Sequence, residues 1–227
     1  MHFTAFDGRA ELANWLAAHV AQRLAKGLSE RGRASLAVSG GSTPRLLFEQ
    51  LSDKDIDWKN VWITLVDERW VPPGSNRSNQ RLVTIELLGR KAANAHFVPL
   101  YREGLKPGDI GEIESEISSL MPFDVVILGM GADGHTASFF TGGSRLHEAV
   151  SPDTKALVID MEAEGAGETR VTLTLPVIVA SAELILHIEG QEKRDVLESA
   201  DEDGVQSTYP ISHVLTARPD IRVVWAA

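Results

Sequence analysis

The sequence predicts an α/β fold: a single domain spanning residues 1–227, with an open, mostly parallel, Rossmann-like sheet and helices on both faces. Three observations carry this expectation. Short apolar runs alternate with segments of helical periodicity almost from end to end. No low-complexity linker or internal repeat divides the chain. With 43% hydrophobic and 24% charged residues, 227 residues can bury a sizeable core without staples.

In order, the N-terminal MHFTAFDGRAELANWLAAHVAQRLAKG reads as an amphipathic helix. It lacks the charged start and uninterrupted apolar core of a signal peptide. ASLAVS (34–39) is a strand, and TPRLLFEQL (43–51) is the helix that follows it. VWITLVDE (61–68) is the next strand, and SNQRLVTIELLG (78–89) carries apolar residues at helical spacing. HFVPL (96–100) is a short strand, and DIGEIESEISSL (109–120) a surface helix with acids between its Ile and Leu residues. FDVVILG (123–129) has the apolar run of a buried strand. KALVID (155–160), RVTLTLP (170–176) and AELILHI (182–188) give three more strands, with MEAEGAGETR (161–170) as a polar connection. GQEKRDVLESA (190–200) reads as a helix, and the chain closes on IRVVW (221–225).

Composition excludes several functions. There is no cysteine, so disulfides, thiolate metal sites and thiol nucleophiles are ruled out, which fits a cytoplasmic location. The net charge of −10, from 22 basic and 32 acidic residues, argues against nucleic acid as a partner. No apolar run approaches the ~20 residues that span a membrane. A mostly acidic protein can still bind a small anion if it concentrates its few cations locally.

Ligands of open α/β sheets bind beyond the carboxyl ends of strands. Four predicted strand exits carry unusual chemistry: SGGSTPR, DERWVPPGSNRS, GMGADGHTAS and GQEKR. In SGGSTP, Gly40 and Gly41 let backbone N–H groups approach an anion, while Ser39, Ser42 and Thr43 add hydroxyls. Pro44 suits the first turn of a helix whose N-terminus then faces that anion. The same letters also fit an ordinary strand-to-helix turn capped by Ser or Thr. The turn is not a Walker loop, because the terminal Gly-Lys-Ser/Thr is missing. At DER, Arg69 can hold an oxyanion or phosphate while Asp67 and Glu68 position it; a surface ion-pair cluster is the alternative.

GMGADG (129–134) satisfies G-x-G-x-x-G, but a dinucleotide fingerprint needs an acid at the next strand end, ~20 residues on. Glu148 and Asp153 lie instead in HEAVSPDT, which does not resemble a strand end, so no nicotinamide cofactor is expected. His135 is the sharper candidate, because it leaves a buried strand through glycines with Asp133 two residues before it. A carboxylate beside an imidazole orients the ring and leaves its other nitrogen to accept a proton. The histidines show no HExxH spacing, so no metal is expected, and no G-x-S-x-G elbow suggests a serine hydrolase.

Taken together, SGGSTP, the DER with its SN-containing loop, GMGADGHTAS, RVTLTLP and the Gly-x-x-Lys of GQEKR carry a family resemblance. In order and approximate spacing the chain resembles the 6-phosphogluconolactonases, which form a wider group with the glucosamine-6-phosphate isomerase/deaminases. The resemblance covers nearly the whole chain. It implies hydrolysis of 6-phospho-D-glucono-1,5-lactone to 6-phosphogluconate, a step of the oxidative pentose phosphate pathway, without metal, cofactor or obligate protein partner. Residue by residue it implies that Gly40, Gly41, Ser42 and Thr43 bind the 6-phosphate with Arg170 and Lys193. Arg69 serves the reacting end, Arg77 is a further candidate there, and Asp67 and Gly131 line the substrate site. His135 becomes the general base and Asp133 its orienting partner.

The deaminases resemble this chain in the phosphate turn and the Asp-Gly-His. His-Thr-Ala-Ser-Phe and Asp-Glu-Arg-Trp favour the lactonases, where a deaminase would continue His-Ile-Ala-Phe-Asn-Glu and Asp-Glu-Tyr. One departure is Phe139-Phe140-Thr141, where lactonases commonly read Leu-Phe-Pro. A non-enzymatic sugar-phosphate sensor would keep the cradle, dispense with His135 and usually carry a basic DNA-binding segment.

Overall fold

The computed structural model describes residues 1–227, the side chain of Val205 excepted. Seven strands, numbered in chain order, make the central sheet. Across it they run β1 (His2–Phe6), β10 (Arg222–Ala226), β9 (Glu183–Glu189), β6 (Val125–Leu128), β2 (Ala34–Val38), β3 (Val61–Leu65) and β5 (His96–Val98). Every neighbouring pair is parallel. All five residues of β2 and all four of β6 are buried, as expected of central strands covered on both faces.

The helices are α1 (Arg9–Arg31), α2 (Arg45–Ser52), α3 (Asn79–Glu86), α4 (Gly111–Leu120), α5 (Leu146–Ala149), α6 (Leu175–Val179), α7 (Gln191–Asp203) and α8 (Ile211–Ala217). Leu12, Leu16, Val20 and Leu24 recur every fourth residue of α1 and form its fully buried stripe. Each such side chain contributes about 1.5–3 kcal/mol on burial. Parallel crossovers are right-handed, so α1, α2 and α3 lie on one face of the sheet and α4 and α7 on the other. The buried apolar residues form one continuous cluster.

Three expectations are corrected. Residues 2–6 are not helical: they form the edge strand β1, because pairing with β10 along its whole length outweighs the local periodicity. VWITLVDE is not one strand. It breaks at Val66, so that β3 stays in the main sheet while β4 (Asp67–Arg69) enters a second one. That second sheet is antiparallel, in the order β4, β8 (Arg170–Leu173), β7 (Val158–Met161), so KALVID and the start of RVTLTLP also leave the parallel sheet. The polar connection between β7 and β8 is too short for a parallel crossover, which needs a dozen or more residues, so the two strands form a hairpin. Val66 joins the sheets through its backbone: its N–H donates to Val38 O (3.0 Å) and its carbonyl accepts from Leu173 N (2.8 Å). Helix α8 has no counterpart in the sequence-based expectation.

From β2 the chain steps to β3 and β5 on one side, and from β6 to β9 and β10 on the other. The turns after β2 and β6 therefore flank the point where strand order reverses, where such sheets open a crevice.

Candidate active site

At that point lies a cleft of about 210 Å³. Its first wall is the turn after β2. Ser39 N–H donates to Ile127 O (3.0 Å), and Ser39 Oγ accepts from Gly129 N–H (3.0 Å), so the turns after β2 and β6 are tied together. Gly40 is required by close approach: a Cβ there would collide with the Asn79 side chain. The amides of Gly40, Gly41, Ser42 and Thr43 donate to no protein acceptor among the described residues. With the start of α2 behind them, these free donors have the arrangement that suits an anion.

The second wall comes from the small sheet, where Arg69 and Arg170 are cross-strand partners. Arg69 Nη1 donates to Arg77 O (2.8 Å) and Asn79 Oδ1 (2.9 Å). Arg170 is buried; its Nη2 donates to Ala166 O (2.9 Å), and its Nη1 lies 3.8 Å from Asp67 Oδ2. Burial pushes the Arg170 guanidinium down from its ordinary value, and the positive charge of Arg69 adds to this against the opposing pull of Asp67. The Nε of each arginine is buried without a protein partner. Arg69 Nη2 and Arg170 Nη1 also make no hydrogen bond among the described residues, so both side chains keep donor capacity for a ligand.

Beneath this wall the fully buried Glu68 accepts from the amides of Arg69 (2.7 Å), Asn79 (2.8 Å) and Gln80 (2.7 Å) and from Ser78 Oγ (3.0 Å). It thereby caps α3 from another strand. Burial pushes its carboxyl up, while the three amides and the hydroxyl pull it back down.

The turn after β6 presents the imidazole. Gly131 N–H donates to His135 O (2.9 Å), and a Cβ on Gly131 would strike the His135 ring and the Asp133 carboxyl, so only glycine fits. Asp133 Oδ1 lies 2.5 Å from His135 Nδ1 and also accepts the His135 amide (3.2 Å). Desolvation raises the Asp133 carboxyl, but the hydrogen bond and charge of His135 more than offset it, and the net shift is downward. With Nδ1 held as a donor, Nε2 is left as the acceptor. Ala137, two residues on, has φ 49°, a left-handed conformation costly for a residue with a Cβ, as is common where side chains are held for function. Ser138 Oγ then donates to Asp67 Oδ2 (2.7 Å), linking this turn to the second wall. The Phe140 ring centroid lies 4.7 Å from that of His135, and Arg170 Cζ is 5.5 Å from the same centroid.

Lys193, in the first turn of α7, completes the lining. Burial pushes its ammonium down despite Glu189 and Glu192, and it has no carboxylate within 4 Å among the described residues. Of the residues expected at the site, Gly40, Gly41, Ser42, Thr43, Asp67, Arg69, Gly131, His135, Arg170 and Lys193 all line the cleft. Asp133 touches it through His135. Arg77 lies outside, paired with Glu168, and only its carbonyl reaches Arg69. Sequence reasoning passed over Asn79, which bridges Arg69 and the Asp67 carbonyl from the start of α3. The only signal for it was its place in the SN-containing loop. Among the described residues, no three His, Asp or Glu side chains gather as a metal site would require.

Fold and cleft define a class: an α/β protein with a turn of free backbone amides facing an Asp–His pair across a cationic wall. Residues 7–225 match the family described as glucosamine-6-phosphate isomerases/6-phosphogluconolactonase. The chain belongs to that family. It is 49% identical over 224 residues to the 6-phosphogluconolactonase of Rhizobium meliloti (strain 1021), covering 97% of each chain. The 6-phosphogluconolactonase of Mesorhizobium japonicum is 45% identical, over 99% of this chain and 95% of the relative. The crystal structure of a 6-phosphogluconolactonase from Shewanella baltica OS155 superposes with a TM-score of 0.90 at 39% identity, covering 100% of this chain and 98% of that one.

Proposed function

We propose that the protein hydrolyses 6-phosphoglucono-δ-lactone to 6-phosphogluconate, with His135 as general base. The observation that carries this reading is the pairing of His135 Nδ1 with Asp133 at 2.5 Å, which frees Nε2 beside a cleft whose other walls are cationic.

The 6-phosphate sits on the free amides of residues 40–43, with Lys193 and Arg170 offsetting its charge. The sugar ring then extends toward His135. Nε2 takes a proton from a water molecule as its oxygen attacks the lactone carbonyl carbon. Arg69, steadied by Asn79, stabilises the tetrahedral oxyanion. The intermediate collapses by breaking the bond from that carbon to the ring oxygen, which recovers the proton from the imidazolium, leaving a hydroxyl and a carboxylic acid that releases its proton to solvent. General-base catalysis contributes ~10²–10⁴-fold, and an oxyanion donor a further ~10²–10³-fold. Phe140 packs against both His135 and Arg170, so the aromatic of the Phe139-Phe140-Thr141 departure still supports the site.

The test is loss of freshly made lactone, corrected for spontaneous opening, with glucosamine-6-phosphate deamination followed in parallel. Enzyme-dependent lactone loss that falls by ~10²-fold or more in His135→Ala, with phosphate competition retained, is the expected result. Near-normal kcat in that variant would remove His135 from its role. Ammonia release without lactone loss would replace the whole assignment.

A further inference from the structure

One peptide unit, between Gly134 and His135, carries the imidazole out of its turn, and both polar edges of that unit are held. Its N–H, on His135, donates to Asp133 Oδ1 (3.2 Å), the same oxygen that lies 2.5 Å from the ring nitrogen. Its carbonyl, on Gly134, accepts from the Ile211 amide (2.9 Å). Ile211 opens α8, so its N–H has no partner within its own helix and is free to bond elsewhere. Tyr209 secures the meeting of these two segments. Gly134 is buried, although Ala132 and Asp133 before it are exposed. Its φ is 74°, in the left-handed region that favours glycine, and a Cβ there would come within 2.6 Å of Tyr209 Cδ1. The half-buried tyrosine ring is thus the surface on which this glycine lies. Its hydroxyl makes no hydrogen bond among the described residues, so the contact is one of packing. A second tie lies beyond the histidine in sequence, where Thr141 Oγ1 donates to Thr208 O (3.3 Å). Neither Tyr209 nor Ile211 lines the cleft.

We propose that Tyr209 is a positioning residue for His135. Its ring seats Gly134 so that the Ile211 amide can hold the Gly134 carbonyl. That fixes the peptide between Gly134 and His135, and with it the alignment of the imidazole on Asp133. This rests on reading His135 as the general base. It adds to that reading a group, on the approach to α8, that never touches the substrate.

Lactone hydrolysis by wild type, Tyr209→Phe, Tyr209→Ala and His135→Ala tests it, with imidazole ¹⁵N spectra recorded beside the rates. In Tyr209→Ala, kcat falls by about tenfold to a hundredfold, part of the ~10²–10⁴-fold that a general base supplies. KM and competitive inhibition by inorganic phosphate stay near wild type, because residues 40–43 and Lys193 are untouched. Tyr209→Phe, which keeps the ring, keeps the rate. The His135 signal is the one missing from His135→Ala. Where the ring is neutral, it reports a proton fixed on Nδ1 in the wild type and a mixture of the two tautomers in Tyr209→Ala. Wild-type kcat and an unmoved signal in Tyr209→Ala overturn the proposal; if His135→Ala has meanwhile lost turnover, the base reading stands without it. A fall in kcat with the signal unmoved, or one that Tyr209→Phe shares, overturns it equally, since neither comes from the ring aligning the imidazole. If His135→Ala keeps near-normal kcat, the base reading fails and the proposal falls with it. Should Tyr209→Ala not fold, Tyr209→Leu takes its place. A branched side chain keeps apolar bulk without a flat face, so the same loss is expected, and a wild-type rate refutes the role.

Discussion

His135 is oriented by residues on both sides of it in the chain. Asp133 holds one ring nitrogen, Gly131 leaves room for the ring, and Ala137 turns the backbone so that Ser138 can reach Asp67. Lys193 shows the complementary case of a charge held in readiness. Burial lowers its pKa below the ordinary 10.5, so between that lowered value and 10.5 the unfolded chain binds more protons than the folded one. The contribution of this group to stability therefore rises with pH across that window. Under the proposed function phosphate affinity moves the opposite way, because an anion held by Lys193 needs the ammonium and loses it as pH climbs through the lowered value. Phosphate inhibition measured from neutral pH to 10.5 should weaken before 10.5 in the wild type and stay flat in Lys193→Met. At this scale the sequence was most readable. Glycines, a histidine and an aspartate in one short turn have few uses, and ten of the twelve expected residues line the cleft. Arg77 shows the limit: a loop arginine faces ligand or carboxylate according to a neighbour, Glu168, that is distant in sequence.

Among the elements, β4 is short but holds much of the site together. Asp67 and Arg69 face the cleft, while Glu68 between them turns inward to cap α3, so one three-residue strand positions both the wall and Asn79. Glu68→Ala leaves three amides and a hydroxyl without their acceptor and should cost about 2–4 kcal/mol. A lower urea midpoint at unchanged m would register it, with a raised KM as Arg69 loses its support. The strand was legible, yet its sheet was not. The apolar run of VWITLVDE continues through Val66, and nothing local announces that the backbone there begins to serve two sheets. The antiparallel hairpin was recoverable in principle, because MEAEGAGETR is too short to carry a parallel crossover. The first residues misled for a different reason. HFTAF can satisfy either periodicity, and only pairing with the distant β10 decides between them.

Over the whole molecule, a net charge of −10 surrounds a cleft that gathers Arg69, Arg170 and Lys193. Anion binding relieves the mutual repulsion of these cations only in the folded state, so phosphate should stabilise the protein as a whole. At about 100 times its Kd, a ligand adds about 2.7 kcal/mol. For a chain of this size that raises Tm by roughly 5–10 °C. Thermal melts with and without phosphate check this, and Lys193→Met should lose most of the shift.

The order of the main sheet has a consequence for how the protein is made. β1 is synthesised long before β10, at residues 222–226, which among the described residues is its only partner in the sheet. While the ribosome builds almost everything between them, β1 must wait with its backbone unpaired and Phe3 and Phe6 uncovered by that strand. The edge that looks like the simplest part of the finished sheet is thus the part a nascent chain leaves open longest. A stall before residue 222 releases a protein with two ladders missing rather than one, because β10 also pairs with β9.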